Sequence, residues 1–138
     1  MSDNHTKEQR SYNMSRIRST DTAPEEKVRK WLHAKEFRYR KNVSTLPGKP
    51  DIVLRKHNVV IFVHGCFWHK HDCGRFWLPQ TNTDYWERKI ARNVERDKEV
   101  FDHLQNDGWR VFTVWECQLK KDSFERTMEY LRRNLLSE

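Results

Sequence analysis

The sequence has few glycines and cysteines and no long apolar segment, and each shortage excludes a class of protein. Its four glycines form no phosphate-cradling loop, so that kind of nucleotide-binding motif is absent. No segment approaches the roughly 20 apolar residues of a membrane-spanning helix, and the opening MSDNHTKEQR lacks the apolar region of a signal peptide. We therefore expect a cytosolic protein with no membrane partner, whose three cysteines are reduced and available as metal ligands.

Charge and aromatic content indicate a folded protein with a polyanionic partner. Lys and Arg number 27 against 20 Asp and Glu, a net charge of +7, and the chain has six Trp and seven Phe. The aromatic content favours a core over disorder, and nucleic acid is the expected partner of such a basic chain. The length of 138 residues suits one domain. Because the first residues are polar and basic, we expect an N-terminal arm (residues 1–20) followed by one domain (residues 21–138).

Hydrophobic periodicity predicts an α/β protein. A helix begins at the TAPE capping signal and runs from Thr22 to about Glu36, and three strands follow at FRYRKN, DIVLR and VVIFVH. A long helix runs from Asp84 to Gly108, before a buried strand WRVFTVWE and a last helix SFERTMEYLRRNLL. VVIFVH is apolar enough to be buried on both faces. A helix between two buried strands usually makes a parallel crossover, so we expect a mixed sheet flanked by helices.

The stretch HGCFWHKHDC, residues 64–73, concentrates metal-binding side chains. Cys66, His71 and Cys73 are three soft ligands within eight residues. The remaining cysteine, Cys117, ends the last buried strand, so it should emerge at the same edge of the sheet as Cys66. Three thiolates and one imidazole would make a closed, structural Cys3His zinc site. The alternative is three unrelated buried cysteines.

Two histidines of the same stretch, His64 and His69, are not needed for that zinc site. A lone histidine is usually a surface or core residue. Two of them beside a zinc site, near the ends of buried strands, favour a catalytic function, because neutral imidazole transfers protons near pH 7.

Three carboxylates occupy positions where a charge needs a partner. Asp51 enters a buried strand, and Asp97 falls within the apolar stripe of the long helix, while Glu25 lies in the first turn of the first helix. Together they could form a magnesium site for a phosphate substrate. The alternatives are a solvated strand-end aspartate for Asp51 and a helix cap for Glu25. The stripe is expected to be core and consists of Trp86, Ile90, Val94, Phe101 and Leu104.

Other catalytic classes are not supported by the motifs. The zinc-protease motif H-E-x-x-H is absent, as are both halves of the zinc-deaminase signature. A cysteine nucleophile would conflict with the zinc assignment.

The predicted αβββαβ order with Pro-Asp at the second strand resembles the core of the PD-(D/E)xK nucleases, the restriction-endonuclease-like fold. The usual acidic residue and lysine of the next strand are missing, since that strand reads Phe62-Val63-His64. The segments LPGKPDIV, VIFVHGCFWHKHDC, ARNVERD and GWRVFTVWEC together resemble one divergent branch, the very short patch repair endonucleases of bacteria. The resemblance extends from about Met14 to Cys117.

The resemblance implies a DNA endonuclease that nicks 5′ to the thymine of a T:G mismatch, the product of 5-methylcytosine deamination. It implies functional links with a cytosine methyltransferase and with mismatch-repair proteins, and a nicking enzyme can act as a monomer. It places catalytic Mg²⁺ on Asp51 and on the backbone carbonyl of Val63. It also implies the same structural Zn²⁺ ligands, Cys66, His71, Cys73 and Cys117.

The resemblance also assigns roles to the remaining side chains. His69 would exchange a proton with the attacking water, and His64 would lie close to the scissile phosphate. Glu25 would support the site from the first helix. The neighbouring Asp97 and Asn93 on the long helix would support it in the same way.

Aromatic and apolar wedges beside the mismatch are a further implication. The matching positions are Phe67, Trp68 and Trp86, with Met14 of the arm entering the minor groove. For Trp86 the alternative is a core position, since it begins the apolar stripe. Two other functions stay open: a zinc-stabilised DNA-binding module without catalysis, and a nuclease of this fold with broader specificity.

Overall fold

A computed structural model describes residues 22–66, 69–71 and 80–137. The arm (residues 1–20), Met14, Phe67, Trp68 and Cys73 lie outside the described residues, so the predictions made for them stay predictions. No helix among the described residues is long and apolar enough to cross a membrane.

The described elements follow the predicted order of helix, three strands, helix, strand, helix. The first strand is shorter than predicted, and two short 3₁₀ helices, Arg55–His57 and Glu116–Leu119, follow the second and fourth strands. The described residues therefore form a mixed α/β structure with three α-helices, as expected. The main elements are α1 (Ala23–Ala34), β1 (Arg40–Lys41), β2 (Ile52–Leu54), β3 (Val59–His64), α2 (Thr83–Asn106), β4 (Arg110–Trp115) and α3 (Phe124–Leu136).

The four strands form one mixed sheet in the order β1-β2-β3-β4. β1 pairs antiparallel with β2, and β2 pairs antiparallel with β3. β3 and β4 are parallel and are joined through α2, which is the crossover that the sequence predicts. The register pairs His64 with Trp115 at the carboxyl ends of these two strands. Residues that follow β3 and β4 therefore emerge at one edge of the sheet.

β3 is buried on both faces, as predicted. Val59 and Ile61 pack on one face against α1 and α3, and Val60 and Phe62 pack on the other face with Leu104 of α2. β4 was expected to be buried as well, but of its six residues only Val114 is buried. Among the described residues it is the last strand of the sheet and pairs on one side only, so its side chains keep more contact with solvent.

The helix ends match their sequence signals. The hydroxyl of Thr22 accepts a hydrogen bond from the N–H of Glu25 at 3.5 Å, which caps α1. Val28, Trp31 and Leu32 form its buried face. α2 ends two residues before Gly108, whose φ of +91° is the left-handed conformation that terminates helices.

The middle of α2 is the main correction to the predicted core. Ile90 and Leu104 are buried, but Val94 and Phe101 are each 39% exposed. The prediction that the whole stripe is core was wrong, because this part of the helix faces an open cleft instead of the sheet. An apolar stripe on a helix shows which face is covered, but not whether protein or a ligand covers it.

Candidate active site and metal cluster

The cleft lies at the edge of the sheet where β2 begins and where β3 and β4 end. Its volume is about 890 Å³. α1 contributes its first turn and α2 contributes its central turns. The structure thereby brings together all six side chains that the sequence singled out for chemistry, which are Glu25, Asp51, His64, His69, Asn93 and Asp97.

Asp51 lies directly before β2 and faces the end of β3. Its Oδ2 accepts a hydrogen bond from the backbone N–H of Val63 at 2.7 Å. In an extended strand the N–H and C=O of one residue point to the same side. The Val63 carbonyl is therefore directed towards Asp51, which is the arrangement that the expected magnesium ligands require.

Burial raises the pKa of Asp51 to about 7, although the Val63 N–H opposes this shift. The nearby carboxyl of Glu25 raises the pKa further, through its charge and a hydrogen bond between the two side chains. Glu25 is only 3% exposed and lies 3.4 Å from the guanidinium of Arg29. Two adjacent carboxyls, Glu25 buried and Asp51 half-buried, form a hard-oxygen donor set suited to a divalent cation.

His69 and Asp97 form the second functional pair. Nδ1 of His69 lies 2.5 Å from Oδ2 of Asp97, and both side chains are partly exposed to the cleft. A carboxylate at Nδ1 favours the tautomer that carries its proton there. Nε2 of His69 is then left with a free lone pair, which is what a general base needs.

His64 stacks on His69. Their ring centroids are 3.7 Å apart and the planes differ by 4°. Burial, followed by the positive charge of His69, lowers the pKa of His64 to about 4. Its Nδ1 is buried and has no hydrogen-bond partner among the described residues. His64 is therefore neutral at physiological pH, and only His69 of the pair is positioned to carry a proton.

Three predicted zinc ligands form a cluster that is separate from these histidines. The ligand atoms of Cys66, His71 and Cys117 all lie within 4.8 Å of one another. Sγ of Cys117 is 3.5 Å from Nδ1 of His71. Tetrahedral zinc with the usual Zn–S and Zn–N bond lengths would separate two such atoms by about 3.5 Å. The described part of the cluster thus contains residue types that bind zinc, close enough together to hold a metal ion. The fourth predicted ligand, Cys73, is outside the described residues.

Trp115 connects the two groups of side chains and was missed in the sequence analysis. Its ring stacks on His71 at 4.0 Å between centroids and 11° between planes. It also meets His64 edge-on at 5.3 Å. One aromatic ring therefore contacts both the cysteine cluster, through His71, and His64 of the cleft. The signal in the sequence was a tryptophan two residues before Cys117, but its position depends on the pairing with His64.

The sequence analysis also missed the cations of the cleft. Lys49 lines it from the LPGKP turn, with φ of +50°, and the preceding Gly48 packs tightly against α2. A Cβ at Gly48 would lie 2.5 Å from Cγ1 of Val100, so only glycine fits there without displacing that side chain. Three more cations reach the cleft from α2, and the first two of them could have been found by helical spacing from Asn93. They are Lys89, Arg96 and Lys98.

Comparison with known proteins identifies the family. A sequence model described as DNA mismatch endonuclease Vsr matches residues 2–75. The DNA mismatch endonuclease Vsr of Escherichia coli K12 is 46% identical over 120 residues, covering 87% of this chain and 77% of that protein.

The chain belongs to the DNA mismatch endonuclease Vsr family.

Two further relatives are named as nicking enzymes. Type II nicking enzyme V.NmeAIP of Neisseria meningitidis serogroup A is 47% identical over 126 residues, 91% of this chain and 90% of that protein. Type II nicking enzyme V.XorIIP of Xanthomonas oryzae is 45% identical over 119 residues, 86% of this chain and 88% of that protein. These matches confirm the family resemblance inferred from the sequence motifs.

The Vsr family match to residues 2–75 spans only part of the site. It includes Asp51, both cleft histidines and the cysteine-rich stretch. Asn93, Asp97 and Cys117 follow it, on α2 and after β4. The described structure brings the two parts together in one cleft and one cluster.

Trp86 is neither a fully buried core residue nor a fully exposed one. It lies in the first turns of α2, is half-buried and meets Tyr85 edge-on at 5.1 Å. It does not belong to either core cluster of the described residues. The neighbouring Tyr85 is 50% exposed, so α2 begins with an aromatic surface. These contacts decide neither alternative for Trp86, so the core position and the wedge role both stay predictions.

Proposed function

We propose that this Vsr family member is a magnesium-dependent DNA endonuclease that nicks one strand 5′ to the thymine of a T:G mismatch. Family membership supports a mismatch endonuclease. The observation that carries the chemistry is the convergence of a buried carboxyl pair, Asp51 and Glu25, with a histidine–carboxylate pair, His69 and Asp97, in one cleft.

Asp51 and the carbonyl of Val63 would hold the magnesium. Bound there, the ion supplies positive charge at the scissile phosphate and lowers the pKa of a bound water. Glu25 strengthens the negative field at Asp51, while Arg29 balances the charge of Glu25. At neutral pH Asp51 is close to half protonated without a cation, so binding of a cation must release a proton from this pair.

His69 would act as the general base. Its Nε2 accepts a proton from the water that attacks phosphorus, and Asp97 stabilises the imidazolium that forms. The P–O bond to the leaving sugar oxygen breaks, and that oxygen is protonated. His64 stays neutral and shields one face of the His69 ring from water through the stack.

The cysteine cluster would hold a structural zinc through Cys66, His71, Cys117 and Cys73. Zinc there would fix the segment that follows β3 and, through Trp115, the position of both catalytic histidines. We further propose that the chain folds as the restriction-endonuclease-like domain of residues 21–138. The basic arm of residues 1–20 would then lie on the DNA.

Recognition of the mismatch would depend on aromatic wedges beside the cleft. A poorly stacked mismatch is less costly to open than a paired step, so an inserted ring favours mismatched DNA. The proposed wedges are Phe67, Trp68, Trp86 and Met14 of the arm. Deamination of 5-methylcytosine produces the thymine of the mismatch. We therefore propose that the enzyme works with a cytosine methyltransferase, which makes the 5-methylcytosine.

A strand-specific nicking assay tests this function. Purified protein with magnesium is mixed with end-labelled duplexes that carry T:G, other mismatches or only paired bases. The proposal predicts one nick, 5′ to the thymine of T:G, and intact paired duplex. Cutting of several mismatches would retain the nuclease and exclude the narrow specificity. Binding without any cutting would favour the zinc-stabilised binding module.

A further inference from the structure

A second cavity lies at the end of the sheet opposite to the active-site cleft. Its volume is about 540 Å³, and it is lined by the residues after α1, by the 3₁₀ helix after β2 and by the last turns of α3. We call it the basic groove. Glu25 lies in the cleft and Lys35 in the groove, at opposite ends of α1, so the two cavities are about 15 Å apart along that helix.

The basic groove has a strong excess of positive charge. Six cationic side chains line it among the described residues, against one carboxylate, Glu36. The active-site cleft is instead balanced, with four cations and four carboxylates from the described residues. The cations of the groove are Lys35, Arg38, Arg40, Arg55, Lys56 and Arg132.

Most of this charge has no ion-pair partner among the residues that the structure describes. Of the six cations, Arg132 alone has an ion pair with a described residue, at 3.6 Å from Glu129. Arg38, Arg40 and Lys56 are exposed to solvent. Clustered like charges repel one another in the free protein, and a bound polyanion relieves that repulsion.

We propose that the basic groove binds a second segment of nucleic-acid backbone, separate from the segment in the cleft. Of the apolar groups that line the groove, Val53 is buried and Phe37 and Tyr39 pack against the core, so among the described residues only the isolated Leu136, 62% exposed, is open to solvent. Protein partners usually need exposed apolar or aromatic side chains at the centre of an interface. Phosphate contacts need only cations and hydrogen-bond donors, which is what the groove presents. This site does not depend on the nicking activity proposed above.

A two-colour binding experiment tests this proposal. A donor-labelled T:G duplex and an acceptor-labelled paired duplex are mixed with the protein without magnesium, so that neither is cut. Energy transfer then reports a complex of one protein with two duplexes. The test variant carries Arg38→Gln, Arg55→Gln and Lys56→Gln. The control carries Lys30→Gln, Lys121→Gln and Arg126→Gln, which remove the same charge from exposed positions that line neither cavity.

The wild type and the control should both give energy transfer. In the groove variant the affinity for the second duplex should fall roughly tenfold or more, and its salt slope should decrease by about 3, one for each lost phosphate contact. Nicking at saturating protein should be unchanged in that variant. No transfer with the wild type, or an equal loss in both variants, would overturn the proposal. Capture of poly-glutamate without a second duplex would overturn it in favour of an acidic protein partner. Normal transfer without nicking would count against the proposed function alone.

Discussion

The cysteine cluster and the carboxylate pair lie at the same edge of the sheet but differ in every property that matters for a cation. Cys66, His71 and Cys117 are soft ligands packed behind the cleft, with one aromatic ring covering His71. Asp51 and Glu25 offer hard oxygen atoms that border a cleft of about 890 Å³, where burial raises the pKa of Asp51. The first arrangement suits a closed structural ion, and the second suits an exchangeable ion that meets substrate.

Trp115 is the physical link between these regions. It stacks on a proposed zinc ligand and touches a catalytic histidine edge-on. The difference between the two regions therefore predicts two kinds of mutational effect. Loss of a soft ligand should harm folding and, through folding, catalysis. Loss of a hard ligand should harm catalysis alone.

Cys117→Ser should have the largest effect. Structural zinc contributes about 10 kcal/mol or more to the folding of small zinc sites, so most of the folded population should be lost. Bound zinc per chain and a thermal melt measure this directly. Asp122→Asn, at an exposed position in the turn that follows the 3₁₀ helix of Cys117, is the control and should melt normally. A zinc-free Cys117→Ser protein with the melting temperature of the wild type would contradict the structural role.

Asp51→Asn should abolish nicking and leave the fold intact. We expect a loss on the order of 10³-fold or more in the single-turnover rate, about 4 kcal/mol of barrier. Binding of the T:G duplex, followed by fluorescence anisotropy, should stay within a few-fold of the wild type. Near-normal nicking by this variant would exclude Asp51 as a metal ligand.

His69→Gln should slow nicking by about 10²- to 10³-fold, as expected for loss of a general base. Asp97→Asn should cause a smaller loss, because it removes only the group that orients His69. The two effects should not add in the double variant, because each acts through the same proton transfer. Additive losses in this cycle would mean that the 2.5 Å contact between the two side chains has no role in the chemistry.

Trp115→Leu should lower the nicking rate between about 10- and 100-fold, since small displacements of catalytic groups have effects of that size. Zinc should stay bound, because no ligand is removed. Trp109→Leu is a matched control: it changes a partly buried tryptophan at the opposite end of β4, far from both histidines. Equal loss of activity in both variants would mean that Trp115→Leu acts only by destabilising the fold.

A smaller effect on stability follows from the raised pKa of Asp51. The folded carboxyl keeps its proton up to about pH 7, whereas the unfolded one ionises near pH 4. Stability is therefore lost as pH rises between these values, and Asp51→Asn avoids that loss. In zinc-containing buffer without magnesium, the variant should be more stable than the wild type by up to about 4 kcal/mol at pH 8 and by about half of that at pH 5.5. Urea melts at both pH values measure this, and a variant that is less stable at pH 8 would contradict the assignment.

Sequence reasoning found the soft ligands more easily than it found the geometry around them. Cys66 and Cys117 could be placed at one edge because each follows a predicted strand. The face-to-face stack of His64 and His69 could not be predicted, since it depends on the turn between them. Trp115 was missed because its contacts follow from strand register, which no short motif encodes.

The long helix α2 shows a second limit of prediction from the sequence. Its apolar stripe was visible in the sequence, and Ile90 and Leu104 are indeed buried. Val94 and Phe101 are exposed because the cleft opens beside them, and periodicity cannot distinguish a cleft from a core. Asp97 inside that stripe was the clue that this face carries chemistry.

Zinc content and nicking measured together on one sample test the central claim most directly. Protein with its zinc determined per chain is assayed on the T:G duplex before and after magnesium is withdrawn by dialysis. The account predicts that nicking disappears and returns with magnesium, while bound zinc and the melting temperature stay constant. Nicking that persists on zinc-loaded protein without magnesium would contradict the separation between a structural cluster and a catalytic carboxylate site.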